Sequence, residues 1–134
     1  MSQRVGITAS CFDLLHAGHV LMLQEAKQQC DRLTVALQFD PTVDRPEKNK
    51  PIQSIFERWV QLEGCKYVDN IIPYTTEHDL LNILKSYPWD VRFVGDEYYN
   101  KDFTGSDLFI ETIYNSRAHD FSSTDLRERI KKAK

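Results

Sequence analysis

Two histidines flank a pair of small residues in the segment His16-Ala17-Gly18-His19 of this 134-residue chain. Gly18 has no side chain, so the backbone can approach a ligand closely there. A helix predicted just after this segment would aim free N–H groups and the positive end of its dipole at the same place, which favours a phosphate. Imidazole N–H groups can also donate to phosphoryl oxygens, and nucleotidyl transfer depends chiefly on positioning and charge neutralisation. The segment therefore indicates phosphate chemistry, although a metal-binding pair or two surface histidines would fit the same spacing.

A second candidate is the run of hydroxyl side chains Ser122-Ser123-Thr124, which comes directly before the last predicted helix. Hydroxyls at the start of a helix cap it, and they can also bind phosphate oxygens. Arg117, a few residues earlier, would supply a permanent, fork-shaped cation for a triphosphate. By itself the segment is more typical of an ordinary helix cap.

Two further segments carry charged residues. The polar stretch 40–51 contains three prolines and is longer than a plain connection needs, and it holds Lys48 and Lys50. Asp96 follows Gly95 directly after a short apolar run. A solvated charged loop and a strand-ending turn are the plain alternatives for these two segments.

Apolar patterning and turn residues divide the chain into alternating strands and helices. The predicted strands are 5–9, 33–39, 70–74 (ended by Pro73), 91–94 and 110–115. The predicted helices are 20–30, 55–64, a segment from a cap at Thr76 to Ser86, and 125–132. This alternation predicts an α/β fold with a five-stranded parallel sheet and helices on both faces. In such sheets ligands bind beyond the carboxyl ends of the strands, where the strand order switches, and the candidate segments all lie on those loops.

Together the segments resemble one enzyme family. Residues 12–19, Phe-Asp-Leu-Leu-His-Ala-Gly-His, closely resemble the signature of the cytidylyltransferases. Residues 117–124 are similar to the family's R-x-x-G-x-S-T-T segment, and residues 95–97 to its G-D-D/E. Lys48 and Lys50 are similar to the Lys-x-Lys of bacterial glycerol-3-phosphate cytidylyltransferases. The resemblance runs from about residue 5 to 130 and implies a Rossmann-like domain, Mg²⁺ bound with a triphosphate, and a homodimer.

The resemblance also implies roles for individual residues. Catalysis would fall to His16, His19, Lys48, Lys50 and Arg117. The nucleotide would be bound by residues of the signature, the Gly-Asp-Glu turn and the hydroxyl run, namely Cys11, Phe12, His16, Ala17, Gly18, His19, Asp96, Arg117, Ser122, Ser123 and Thr124. The acceptor would be bound by Asp13, Asp40, Lys48 and Arg58. No protein-held metal site is expected, since the triphosphate would hold most of the Mg²⁺ coordination.

The implied activity is transfer of CMP from CTP to glycerol-3-phosphate or a similar phosphorylated alcohol, with release of pyrophosphate. An adenylyltransferase that uses ATP with a sugar phosphate or a coenzyme precursor is the alternative within enzymes, because the same H-x-G-H segment serves it. Residues 75–79 also lack the Trp and Lys that glycerol-3-phosphate enzymes place near the acceptor. A catalytically idle nucleotide-binding protein is the alternative outside enzymes, and the presence of both histidines and Arg117 argues against it.

Composition limits the remaining classes. The formal net charge of -3 argues against general nucleic-acid binding, which usually needs a strongly basic face. Cys11, Cys30 and Cys65 are widely spaced without a C-x-x-C pair, which is typical of reduced thiols in a cytoplasmic protein. No apolar run approaches the roughly 20 residues of a membrane span, so no membrane association is expected. At this length we expect one domain, residues 1–134.

Overall fold

The predicted alternation of strands and helices is confirmed in a computed structural model, which describes residues 3–116 and 121–133. The strands are β1 (Val5–Ser10), β2 (Arg32–Gln38), β3 (Asn70–Tyr74), β4 (Val91–Gly95) and β5 (Glu111–Asn115). The helices of at least two turns are α1 (Ala17–Lys27), α2 (Ile55–Glu63), α3 (Glu77–Ser86) and α4 (Ser123–Lys132).

The five strands form one parallel sheet in the order β3-β2-β1-β4-β5. Gly6 of β1 lies opposite Leu33 of β2 on one side and Val91 of β4 on the other. The chain therefore builds the sheet outward from β1 in one direction and then returns to extend it in the other. This reversal separates the loops that follow β1 and β4, and it opens a ligand-sized gap at the carboxyl edge.

Apolar side chains cover both faces of the sheet, as predicted. Leu23 of α1 and Leu62 of α2 are buried in one cluster with β2 and β4 residues such as Leu33 and Phe93. The opposite face is covered by α3, whose apolar residues form a second cluster with Ile7, Ala36 and Trp89. Because both faces of the sheet are buried, the register of the strands is fixed. A one-residue shift of a strand would move its side chains to the opposite face.

The first helix begins three residues earlier than predicted, because His16 caps it. Nδ1 of His16 accepts a hydrogen bond from Gly18 N at 3.0 Å, and Nδ1 of His19 accepts one from His16 N at 3.2 Å. This reciprocal pair is a capping box made of two imidazoles in place of the usual hydroxyl and carboxylate. Helix propensity gives no signal for such a cap.

Strand β3 has the predicted bounds, 70–74, but Pro73 lies within the strand and does not end it. The strand continues to Tyr74, and Pro73 lies opposite Leu37 of β2. A proline inside a strand is tolerated here because β3 is an edge strand, whose outer side needs no backbone donor.

A buried arginine joins the carboxyl ends of β1 and β2 to α2. Arg58 is 1% exposed, and its guanidinium donates to five backbone carbonyl oxygens, those of Cys11, Gln38, Phe39, Gln53 and Ser54. The N–H to O distances range from 2.5 Å at Gln38 to 3.3 Å at Ser54. A planar fork of five donors suits this arrangement of acceptors, which a lysine could not match.

We predict that Arg58→Met lowers the free energy of unfolding by about 3 kcal/mol or more, because each buried carbonyl left without a donor costs about 1–3 kcal/mol. Urea denaturation followed by circular dichroism measures the loss. Arg129→Met is the matched control, since its side chain is 67% exposed and such changes usually stay within about 0.5 kcal/mol. Equal stability of the two variants would contradict a holding role for Arg58.

Candidate active site

An open cleft of about 800 Å³ lies over the carboxyl ends of β1 and β4. Its volume suits a small-molecule ligand. Its walls come from the loop after β1, the start of α1, the segment that follows β4 and the start of α4. The predicted site residues that line it are Cys11, Phe12, Asp13, His16, Gly18, His19, Lys48, Ser122, Ser123 and Thr124.

Several other predicted site residues lie away from the cleft walls. These are Ala17, Asp40, Lys50, Arg58 and Asp96, while Arg117 lies outside the described residues. The carboxylate of Asp40 caps the short 3-10 turn Pro41–Val43 by accepting from Thr42 N at 2.9 Å and Thr42 Oγ1 at 2.6 Å. These two hydrogen bonds lower the pKa of Asp40. The binding roles predicted for these residues stay predictions.

The two histidines lie side by side at the start of α1. Their ring centroids are 3.9 Å apart with 23° between the planes, and Phe12 packs edge-on against His19. Both Nδ1 atoms accept backbone N–H groups, and a neutral imidazole carries its single proton on the other nitrogen. Each ring is therefore held as the Nε2–H tautomer, with Nε2–H as its hydrogen-bond donor.

The loop that carries these rings is strained. Phe12 and Leu14 have φ angles of 49° and 53°, in the left-handed region that residues other than glycine rarely adopt. Phe12 is buried in the core, and Leu14 N donates to Gln53 Oε1 at 2.8 Å. Such backbone persists only where its surroundings fix it, and here the surroundings turn the chain sharply from β1 into α1.

Asp13 ties this loop to two other parts of the chain. The residue is 7% exposed, and its Oδ2 accepts from Ile52 N at 2.8 Å and from Arg127 Nη2 of α4 at 2.9 Å. Its Oδ1 accepts from Gln53 N at 2.9 Å. The sequence predicted an acceptor contact for Asp13, and that contact stays a prediction. The observed bonds give the carboxylate a positioning role.

The hydroxyl run stands at the start of α4, as predicted. Ser122 Oγ accepts from Asp125 N at 3.0 Å and caps the helix, while Ser123 Oγ donates to Asp13 O at 3.2 Å. The ordinary-cap alternative is therefore correct for Ser122, yet all three hydroxyl residues also line the cleft. The amino termini of α1 and α4 thus meet at one cleft, where their dipoles favour an anion.

Cys11 lines the cleft as a partly buried thiol. Burial raises the pKa of its thiol to about 11. The Sγ–H group donates to Gln38 Oε1 at a distance of 3.7 Å. Since the thiolate is the reactive form, a covalent step through Cys11 is disfavoured.

The other half of the cleft, which we call the polar lobe, is lined by polar residues that were not among the predicted site residues: Gln38, Arg45, Tyr74, Glu77, Arg92 and Thr104. Glu77 accepts from Thr104 Oγ1 at 2.9 Å and Gln38 Nε2 at 3.4 Å, and it pairs with Arg45 at 3.4 Å. The sequence held one indication of this half of the cleft: Arg92 is a charged residue inside an otherwise apolar predicted strand.

A protein-held metal cluster and a membrane-spanning helix are both absent from the described ranges, 3–116 and 121–133. They contain no group of three or more His, Cys, Asp or Glu side chains placed to hold a metal ion. No helix in them has the length and apolar character needed to cross a membrane.

The chain belongs to the cytidylyltransferase-like family, whose sequence model matches residues 7–129. The family resemblance is therefore confirmed, and with it the assignment of the chain to the nucleotidyltransferases.

The chain is similar to proteins called bifunctional protein HldE. It is 39% identical over 105 residues to that of Granulibacter bethesdensis, which covers 78% of this chain and 21% of the relative. It is 36% identical over 133 residues to that of Campylobacter concisus, which covers 98% of this chain and 28% of the relative. The chain thus spans roughly a quarter of the length of these curated relatives.

Two solved structures share the fold. A lipopolysaccharide core biosynthesis protein from Thermoplasma volcanium superposes with a TM-score of 0.73 at 24% identity, covering 88% of this chain and 100% of its own. A candidate nicotinate-nucleotide adenylyltransferase from Vibrio parahaemolyticus superposes with a TM-score of 0.60 at 17% identity, covering 95% and 86%.

We predict that Cys11 reacts with iodoacetamide about a hundredfold more slowly at pH 8 in the folded protein than in urea, because a pKa near 11 against an ordinary 9.0 leaves about 10² times less thiolate. The folded rate should keep rising with pH up to about pH 11. Mass spectrometry of the peptide that contains Cys11 measures both rates. Equal rates in the folded and unfolded chain at pH 8 would contradict burial as the control of this thiol.

Proposed function

We propose that this chain is a nucleotidyltransferase domain that transfers AMP from ATP to the phosphate of a sugar phosphate and releases pyrophosphate. The observation that carries nucleotidyl transfer is the stacked pair His16 and His19, held as Nε2–H donors where the amino termini of α1 and α4 meet. Membership of the nucleotidyltransferase family supports the same reaction class.

In this proposal the triphosphate lies across the starts of α1 and α4. Ser122, Ser123 and Thr124 supply hydroxyls on one side, and the two imidazoles supply N–H donors on the other. Lys48 lines the cleft and adds a mobile positive charge, with Lys50 two residues further along the same loop. Arg117 belongs to this set as a prediction from the sequence.

The reaction is an in-line displacement at phosphorus. A phosphate oxygen of the acceptor attacks the α-phosphorus, the bond from that phosphorus to the α,β-bridging oxygen breaks, and the electron pair leaves with pyrophosphate. Negative charge spreads over the α-phosphate oxygens as the new bond forms, and the Nε2–H groups of His16 and His19 stabilise it by donating hydrogen bonds. The protonated Cys11 thiol fits a single displacement without an enzyme-bound intermediate.

Mg²⁺ belongs to this proposal as a companion of ATP. The described residues offer no three-ligand protein site, so the oxygens of the triphosphate would supply most of its coordination. When bound, Mg²⁺ neutralises part of the charge on the phosphates.

The donor and acceptor are taken from the relatives. The sequence alone favoured CTP as the donor and glycerol-3-phosphate as the acceptor. The relatives favour the alternative, an adenylyltransferase that uses ATP. One structural neighbour is a candidate adenylyltransferase, and another is a protein of lipopolysaccharide core biosynthesis, which is sugar chemistry. Transfer of CMP to glycerol-3-phosphate stays the second candidate, favoured by the Lys-x-Lys pattern of Lys48 and Lys50.

A homodimer and a cytoplasmic location stay predictions from the sequence. Exposed aromatic side chains lie beside the edge strand β3, among them Phe39 directly after β2, 50% exposed, and Phe56 of α2, 73% exposed. A second copy of the chain would find an apolar surface there.

We predict that, with Mg²⁺ and sugar 1-phosphates, the chain releases pyrophosphate from ATP several-fold faster than from CTP. An assay that couples pyrophosphate to a colour change measures the rates across a matrix of both nucleotides with sugar 1-phosphates and glycerol-3-phosphate. Faster release from CTP with glycerol-3-phosphate would establish the second candidate instead. No release from any pair, with both nucleotides bound, would identify a catalytically idle nucleotide-binding protein.

We predict that His16→Asn lowers kcat by about 10²–10³, the usual effect of removing one transition-state donor. Its stability should stay near that of the parent chain, since asparagine caps a helix well. His16→Ala should lose the same activity and also about 1 kcal/mol of stability, because the cap is lost. Steady-state kinetics and urea denaturation separate the two effects. Normal turnover of His16→Asn would mean that the imidazole serves α1 only as a cap.

A further inference from the structure

Arg92 is a cation in the interior of the sheet. It lies on β4 opposite Ile7 of β1, and it is 8% exposed, yet its side chain lines the same cleft as the histidines. Buried charges in proteins are normally paired, because removing an ion from water without a partner is costly.

The contacts of Arg92 do not balance its charge. Within residues 3–116 and 121–133, its Nη1 donates to the carbonyl oxygen of Thr104, and its guanidinium carbon stands 5.0 Å from the centroid of the Phe103 ring. The same residues form no ion pair with it. A neutral carbonyl and an aromatic face compensate only part of a full charge, and burial lowers the pKa of Arg92 accordingly.

The carboxylate of Glu77, on the same side of the cleft, already has partners. Glu77 accepts from Thr104 and Gln38 and pairs with Arg45, as described above. Two guanidinium groups therefore face one carboxylate in this lobe, which leaves a surplus positive charge. In addition, Nε of Arg45 is buried without a hydrogen-bond partner. Asp102 and Glu97 also line the cleft, and Asp44 accepts a hydrogen bond from Glu77 N, but all three are exposed residues whose charge water screens.

Arg92 and the histidines belong to opposite faces of the sheet, because Arg92 lies beside Ile7 of the cluster on the α3 side, whereas the histidines begin α1 on the other side. Arg92 pairs with Ile7, three residues before Ser10 at the end of β1. At about 3.3 Å per residue, the backbone of Arg92 lies roughly 10 Å below the carboxyl edge. The depth of its backbone and its side of the sheet both set Arg92 apart from the histidines, so it would hold a different ligand group from the phosphate that reacts beside His16.

We propose that Arg92 and Arg45 bind an anionic group, a phosphate or a carboxylate, at the end of the acceptor remote from its attacking phosphate. This inference rests on the proposed function in one respect, since it describes the acceptor of that reaction. The acceptor class would be a phosphorylated sugar that carries a second anion, such as a sugar bisphosphate or a phosphorylated sugar acid. The side chains of Glu77, Gln38 and Thr104 would accept hydrogen bonds from the sugar hydroxyls between the two anionic groups, or donate hydrogen bonds to them.

A structural role for Arg92 makes different predictions. Arg92 would then serve to hold the turn at Thr104, where Gly105 has a φ of 79° and its backbone packs against the guanidinium. Loss of the side chain would in that case destabilise the fold and leave anion binding unchanged.

We predict that Arg92→Met binds inorganic phosphate at least tenfold more weakly than the parent chain in the lobe around residue 92. Methionine keeps the length and removes the charge. The probe is inorganic phosphate against chloride at equal ionic strength, measured by calorimetric titration and by the rise in melting temperature. The titrations are made in the His16→Asn background, which weakens the competing site at the histidines. In chloride alone, Arg92→Met should melt no lower than its parent, because an uncompensated buried charge has been removed.

Arg129→Met removes an exposed cation outside the cleft, and its phosphate titration should match that of the parent chain. If Arg92→Met does not fold, Arg45→Met tests the same lobe, because Arg45 is more exposed and its loss disturbs the core less. Arg45→Met should also weaken phosphate binding. Unchanged phosphate binding in Arg92→Met, or in Arg45→Met where that variant decides, would overturn the inference. These titrations need no turnover, so an inactive chain that binds phosphate through Arg92 would refute the proposed function alone.

Discussion

The hydrogen bonds of two buried charged side chains hold the cleft in shape. Arg58 gathers carbonyl oxygens from the ends of β1 and β2 and from the start of α2, and Asp13 gathers N–H groups before α2 together with Arg127 of α4. The backbone groups of loops usually form hydrogen bonds with water, but in these loops they form hydrogen bonds with the charged side chains of Arg58 and Asp13. Four separate segments are thereby fixed relative to one another, so the cleft is formed before any ligand arrives.

The two ends of the cleft differ in their electrostatics. At the edge of the sheet, two neutral imidazoles and two helix amino termini provide hydrogen-bond donors and partial charges. On the α3 side of the cleft, Arg45 and Arg92 provide full charges that the carboxylate of Glu77 does not balance. The imidazoles and helix amino termini suit negative charge that develops during a reaction. The fixed cations, in a region of low dielectric constant, suit negative charge that a ligand already carries.

Local sequence predicted the parts of the structure that local interactions determine. The strand and helix order followed from apolar patterning, and the histidines followed from four adjacent residues. The start of α1 was missed because an imidazole capping box has no propensity signal. The polar lobe was missed because Gln38, Glu77, Arg92 and Thr104 are far apart in the chain and meet only through strand pairing and the return of the segment after β4. The sequence predicted that Arg58 binds the acceptor, and that role stays a prediction. Its burial among backbone carbonyls depends on three segments that only the folded chain brings together.

The imidazole capping box separates two kinds of selection on one side chain. Serine, threonine, asparagine or aspartate would begin α1 about as well as His16 does, so the needs of folding alone would let that position drift among five residue types. Only a demand for a ring nitrogen in the cleft restricts the position to histidine. A homologue that no longer catalysed the reaction could therefore replace His16 with a small polar residue and keep its fold. Substitution at position 16 would be an early sign that the activity had been lost.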